Sequence, residues 1–167
     1  MNLFEVSGLI LSLLLLGPAT YWDIREKRVP NFIVFPGIVA GLGLLVLKCI
    51  YYGSLRVGIS NLVLFVLLFL FGMTGLLGLG DIKLLMALAL VNEPITLLIG
   101  IALACILIVV IQVIKEGKRI LPKIWVGFGM ILTKKLVSVA KNGDAIPFVP
   151  YFLITFLVTF LTETVII

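Results

Sequence analysis

Two aspartates stand out in a chain that otherwise reads as membrane. Asp81 closes the run Gly78-Leu79-Gly80-Asp81, with apolar stretches on both sides. Asp23 ends the first apolar run, inside Asp23-Ile24-Arg25-Glu26-Lys27-Arg28-Val29-Pro30-Asn31. A charged side chain at membrane depth costs at least about 2.5–3.5 kcal/mol at a helix centre on insertion scales, so it is a functional candidate by default. Two carboxylates and one water suffice to hydrolyse an amide. The ionised acid takes a proton from the water, and the protonated one donates a hydrogen bond to the scissile carbonyl. Repulsion divides the labour: two carboxylates a few Å apart cannot easily both ionise, so the pair shares a proton. Asp23 and Asp81 are the candidate catalytic pair for that chemistry.

The neighbours of the acids fit a supporting role. Gly78 and Gly80 lack side chains and leave room for an extended substrate across Asp81. Asp81 falls at the start of an apolar segment, where a helix dipole favours negative charge. Lys83 either tunes Asp81 or snorkels to the headgroups, and the sequence leaves both open. Pro30 and Asn31 open the second helix, since proline is tolerated in a first turn. Each motif alone has an ordinary explanation. Asp23, beside Arg25, Lys27 and Arg28, reads as a solvated loop charge. Gly72, Gly75 and Gly78, like Gly37 and Gly41, fit small-residue helix packing. Asp144 reads as a turn or cap residue. Only the two acidic motifs taken together suggest a site.

Those residues need a scaffold, and composition names its class. The 167 residues are 62% hydrophobic and 13% charged. Soluble domains run nearer 45–50% apolar and about 25% charged. The expected fold is an all-α integral membrane protein, since runs such as Leu13-Leu14-Leu15-Leu16 show no barrel-like alternation. The net charge of +5 does not indicate nucleic acid, because the basic residues sit between apolar runs. The absence of His removes His-based metal centres and Ser-His or Cys-His catalysis. Cys49 and Cys105 form no Cys-x-x-Cys pair. No metal and no cofactor is expected.

Hydropathy and helix breakers place six transmembrane helices, roughly 3–21, 31–52, 59–77, 82–91, 95–114 and 146–161, in one membrane-embedded domain over 1–167. The first run has no basic leader region or clear cleavage site and is read as a retained helix, not a signal peptide. A charged loop from Asp23 to Arg28 follows it. The fourth segment is short: ten residues make about 15 Å of helix, half the hydrocarbon thickness. It must start earlier, near Asp81, or sit tilted in the bundle. Around 121–140, Ile124, Trp125, Phe128, Ile131, Leu132 and Leu136 recur at helical spacing among lysines, which reads as an amphipathic helix on the cytoplasmic leaflet. Eleven of the thirteen Lys and Arg fall on the side of the Asp23 and Asp81 loops, leaving Lys48 and Arg56 opposite. Positive-inside bias makes the richer side cytoplasmic and both termini extracytoplasmic. Glu5, Glu93 and Glu163 then lie on the far side from the acid pair.

With these motifs in place, the sequence resembles the type IV prepilin peptidase family, intramembrane aspartyl proteases marked by Gly-x-Gly-Asp. That family's first motif is an Asp followed by basic residues and an Ile-Pro-Asn-like triplet; here Val29 takes the Ile position before Pro30 and Asn31. Its second, Gly-x-Gly-Asp-x-Lys-Leu, stands as Gly78-Leu79-Gly80-Asp81-Ile82-Lys83-Leu84. Pro147-Phe148-Val149-Pro150-Tyr151 is similar to its Pro-Phe-Gly-Pro-Tyr stretch, with Val149 replacing Gly. The Pro-Ala-Leu motif of presenilin-like proteases is absent. The resemblance implies cleavage of prepilin-like (Flp pilin, pseudopilin or preflagellin) leaders at the cytoplasmic face of the inner membrane, typically after a Gly preceding an apolar helix. It implies Asp23 and Asp81 as the catalytic pair. It also implies a short Tad/Flp-type or preflagellin-type member without the methyltransferase region. The expected partners are precursors with a basic leader and an apolar helix, and the lipid bilayer. Two other classes compete. One is a proton or cation transporter using Asp81 and Lys83, though no inverted repeat is evident. The other is a noncatalytic secretion-apparatus component.

Overall fold

The computed structural model describes residues 3–74, 78–116 and 147–166. Among them six helices follow one another: α1 (Leu3–Glu26), α2 (Asn31–Tyr52), α3 (Leu55–Gly72), α4 (Leu79–Val91), α5 (Pro94–Glu116) and α6 (Val149–Ile166). Among the described residues, three helical stretches are long and apolar enough to cross a membrane: Leu3–Glu26, Asn31–Tyr52 and Pro94–Ile114. Gly58–Gly72 and Val149–Thr162 are shorter apolar stretches.

The fourth segment is the centre of the bundle. Every residue from Leu84 to Val91 is buried, and α4 packs on α1, α2, α3 and α5. A helix that is apolar all round must be enclosed, and α4 is enclosed by protein. Its 13 residues make about 20 Å, short of the roughly 30 Å of hydrocarbon. It is an inner strut, not a crossing helix.

Glycines let the neighbours close on this strut. A Cβ at Gly41 of α2 would stand 3.0 Å from Leu90 Cβ, and one at Gly72 of α3 would stand 2.9 Å from Ile82 Cγ2. Gly37 gives Leu15 of α1 the same kind of room, at 2.7 Å. On the other side α6 lies along α5. Phe152 and Phe156 are fully buried, and the Thr155 hydroxyl donates to the Gly100 carbonyl at 3.0 Å.

Several boundaries differ from the expected ones. α1 does not stop near Tyr21 but continues to Glu26, so the supposed loop at Asp23 is helix. It ends at Lys27, whose φ of 52° is left-handed and whose N–H donates to the Asp23 carbonyl at 2.9 Å. α3 starts at Leu55 and ends at Gly72, earlier at both ends than 59–77. α4 begins at Leu79, so Asp81 lies inside its first turn. α6 begins at Val149 instead of 146. The expected amphipathic helix at 121–140 lies outside the described residues.

Candidate active site

Asp23 is 3% exposed, which overturns its reading as a solvated loop charge. It sits in the last turns of α1, and the Val149 backbone N–H donates to its Oδ2 at 2.9 Å. The first amides of a helix have no intrahelical partner. Asp23 therefore satisfies the start of α6 from another helix, 126 residues away in sequence. That is the structural meaning of Pro147-Phe148-Val149-Pro150-Tyr151, a stretch noticed in the sequence only as a resemblance and not as part of the site.

Asp81 approaches from α4. Gly80, beside it, touches the α1–α2 link: a Cβ there would stand 3.1 Å from the Val29 nitrogen and 3.2 Å from the Val29 oxygen. So Gly80 serves close backbone approach within the protein, where the sequence suggested room for substrate. Gly78 lies next to the acid itself, since a Cβ there would stand 2.9 Å from Asp81 Oδ2. Burial first, and the charge of Asp23 second, push the Asp81 carboxyl from an ordinary 3.8 up to about 7. The two sequence-predicted acids are thus brought to one end of the bundle, close enough for one to act on the other.

The remaining predicted residues assemble beside this pair. Pro30 stands in extended conformation (φ −74°, ψ 145°) just before α2, so it precedes the first turn instead of occupying it. The exposed Lys83 ammonium donates to Asn31 Oδ1 at 3.2 Å, bridging α4 and α2. Asn31 and Lys83 are polar members of the lining of an apolar groove of about 310 Å³ between α2, α3 and α4. Phe35, Phe69, Met73 and Leu79 line it too. Val29 and Val149 are the contact residues that motif reading missed. Both act through backbone atoms, so no side-chain signature announces them.

Chemically, the arrangement holds a buried acid, Asp23, and a half-buried one, Asp81, on separate helices, with the Asp81 carboxyl raised to about 7. That is the requirement for activating water against an amide. Comparison with curated proteins and with solved structures finds no match to the chain. Comparison with protein families does: residues 9–113, more than half of the chain and spanning both acids, match the type IV leader peptidase family. On that match the chain is a member of the type IV leader peptidase family.

Proposed function

We propose that this peptidase-family member is a membrane aspartyl endopeptidase. Its reaction is removal of the leader from type IV prepilin-like precursors at the cytoplasmic membrane face, with Asp23 and Asp81 as the acid–base pair. The observation that carries this reading is the electrostatic coupling of the two acids at one end of the bundle, with Asp81 held near 7. Asp23 is the acid whose Oδ2 is held in place by the Val149 backbone N–H. It is assigned as the base. It takes a proton from water while the water oxygen attacks the scissile carbonyl carbon. Asp81, protonated, donates its hydrogen to the carbonyl oxygen. Collapse of the tetrahedral intermediate breaks the C–N bond: the hydroxyl made from the carbonyl returns its proton to Asp81 as the C=O re-forms, and the proton on Asp23 passes to the departing amine.

The substrate assignment follows from position. Leu79, Ile82 and Lys83 flank Asp81 in sequence and line the groove. An apolar segment lying in it would pass Asp81 and leave its basic leader in the aqueous phase, where the scissile bond meets the acids. The test uses purified protein in detergent and a peptide joining a basic leader to an apolar helix. Wild type should cut once, at the leader junction. Asp23→Asn and Asp81→Asn should each lower the rate about 10²–10⁴-fold, the range supplied by a positioned proton-transfer group. Near-normal cutting by either variant would defeat the catalytic assignment. Ion flux in vesicles without cutting would favour transport instead.

A further inference from the structure

The end of α4 opposite Asp81 carries a second polar cluster, and the acid pair does not use it. A helix leaves its last carbonyls without intrahelical partners, and in an apolar surrounding those groups must still be satisfied. In α4 two other helices, and Asn92 just past its end, supply what is missing. Asn61 of α3 donates from Nδ2 to the Ala89 oxygen at 2.8 Å and to the Asn92 oxygen at 2.9 Å. Lys48 of α2 donates from Nζ to the Val91 oxygen at 2.9 Å. Asn92 donates to the Leu88 oxygen at 3.0 Å and to the Ser12 hydroxyl of α1 at 2.8 Å. Ser12, Asn61 and Asn92 are all buried. Lys48 also puts a cation where the helix dipole is negative.

The depth of this cluster is informative. Ser12 is nine residues into α1, Asn61 six into α3, and Lys48 four before the end of α2. At 1.5 Å per residue the α4 terminus therefore lies about 6–14 Å inside the far end of the bundle. No loop at a membrane surface holds it there; these side chains do. Asp81 lies ten residues from Val91 on the same rigid rod, about 15 Å away. Whatever fixes the end of the rod along its axis fixes Asp81.

We infer that Asn61 and Lys48 are positioning residues for the reaction: by gripping the terminal carbonyls of α4 they set the axial register that brings Asp81 level with Asp23. This rests on the reading of Asp81 as a catalytic carboxylate. Neither residue lines the groove, whose α4 residues run from Leu79 to Met86. Loosening the grip should therefore lower kcat and leave KM alone. A misplacement of 1 Å costs about 10²-fold in rate, so a slip of half that predicts about a tenfold loss.

The experiment measures kcat and KM per folded enzyme for Asn61→Leu, Lys48→Met and Lys48→Arg, with Asp81→Asn as control, on the leader-junction peptide. The expected result is kcat down about tenfold in the first two, with KM within about twofold. Lys48→Arg, which keeps the cation and donors, should restore most of the rate. Wild-type kcat per folded molecule in both Asn61→Leu and Lys48→Met would overturn the inference, as would a loss confined to KM. Failure of both to fold would overturn it too, because the cluster would then hold the bundle together instead of aiming Asp81. If Asp81→Asn still cuts, the catalytic reading falls. If Asp81→Asn is inactive and the cap variants are normal, only the positioning role falls.

Discussion

Replacing Gly80 with alanine tests the site by adding one methyl group where the acids' two supports meet. The new Cβ would stand 3.1 Å from the Val29 nitrogen, 3.2 Å from its oxygen and 3.3 Å from its Cβ. These are mostly backbone atoms of the short link between α1 and α2, so no side chain can swing aside. Restoring a 3.4 Å contact moves α4 and the link apart by about 0.3 Å. Scaled from about 10²-fold per Å, that displacement alone predicts roughly a fourfold loss of rate. Overpacking of this kind costs about 1–3 kcal/mol. If all of it opposes the assembled site, the loss approaches about 150-fold. The expected fall in kcat/KM lies between those limits.

The assay follows appearance of the cut peptide by mass spectrometry, alongside a melting temperature in the same detergent. Two internal controls fix the interpretation. Gly17→Ala and Gly43→Ala put a Cβ where nothing lies within 4 Å, and alanine suits a helix interior better by roughly 0.5–1 kcal/mol. They should keep full rate and melt no lower than wild type. Gly78→Ala meets Asp81 Oδ2 at 2.9 Å, the far end of a side chain that can turn. It should lose rate with little change in melting temperature. A Gly80→Ala enzyme within twofold of wild type in kcat/KM would refute the reasoning. So would a loss fully accounted for by unfolded protein.

Cleavage should also depend on pH with a definite sign. Asp81 must be protonated to donate, and its carboxyl is held at about 7, so the rate should fall tenfold per pH unit above that, and fall again in acid where Asp23 becomes protonated; a rate still rising through pH 8 would contradict the roles. The same shift means the folded state holds this proton more tightly than the unfolded chain, whose carboxyl titrates near 3.8. The stability Asp81 contributes is therefore complete below 3.8 and lost as pH rises through about 7, which melting curves across that window would register against an Asp81→Asn reference. Gly41→Ala brings a Cβ to 3.0 Å from Leu90 Cβ and 3.3 Å from the Ala87 oxygen, so it should destabilise the bundle by about 1–3 kcal/mol, seen as a lower melting temperature. Val149→Pro removes the N–H that binds Asp23 while keeping a residue suited to a first helical turn; the lost bond to a charged group is worth about 1.5–3 kcal/mol, and the rate should drop at least tenfold with the helical circular dichroism unchanged.

The parts of this fold that were legible in the sequence are those whose signal is local. Asp81 is readable because a carboxylate among leucines contradicts its surroundings, and Asn92-Glu93-Pro94 marks where α4 must end. The end of α1 was not readable. Arg25 and Glu26 lower the hydropathy, which marks where the membrane environment ends and not where helical hydrogen bonding ends. The helix runs on to a left-handed Lys27, where no glycine signals the stop. The depth of α4 was hidden for a different reason. Its short length was evident, but whether it crosses, tilts or stops inside depends on partners for its last carbonyls. Those partners, Asn61 and Lys48, lie 28 and 43 residues from the carbonyls they hold. Lys48 counted in the sequence only as a charge on the far side. The backbone contacts of Val29 and Val149 carry no side-chain pattern at all.

The two acids stand at opposite ends of their own helices, which suits the different roles proposed for them. Asp81 stands in the first turn of its own helix, where the dipole supports an anion, yet burial and the charge of Asp23 raise its carboxyl to about 7. Asp23 stands in the last turns of its own helix, where the dipole opposes an anion, yet the first amide of α6 donates to it. The helix that corrects Asp23 is anchored far from it, along α5, by Thr155 on Gly100 and the buried Phe152 and Phe156. The helix that carries Asp81 is anchored by the polar cluster at its opposite end. Each acid is thus carried on a strut with its own distant anchor, and the two struts meet where Gly80 touches the α1–α2 link. In the proposed reaction, that separation lets this end of the bundle admit water and a substrate chain without losing the spacing of the acids.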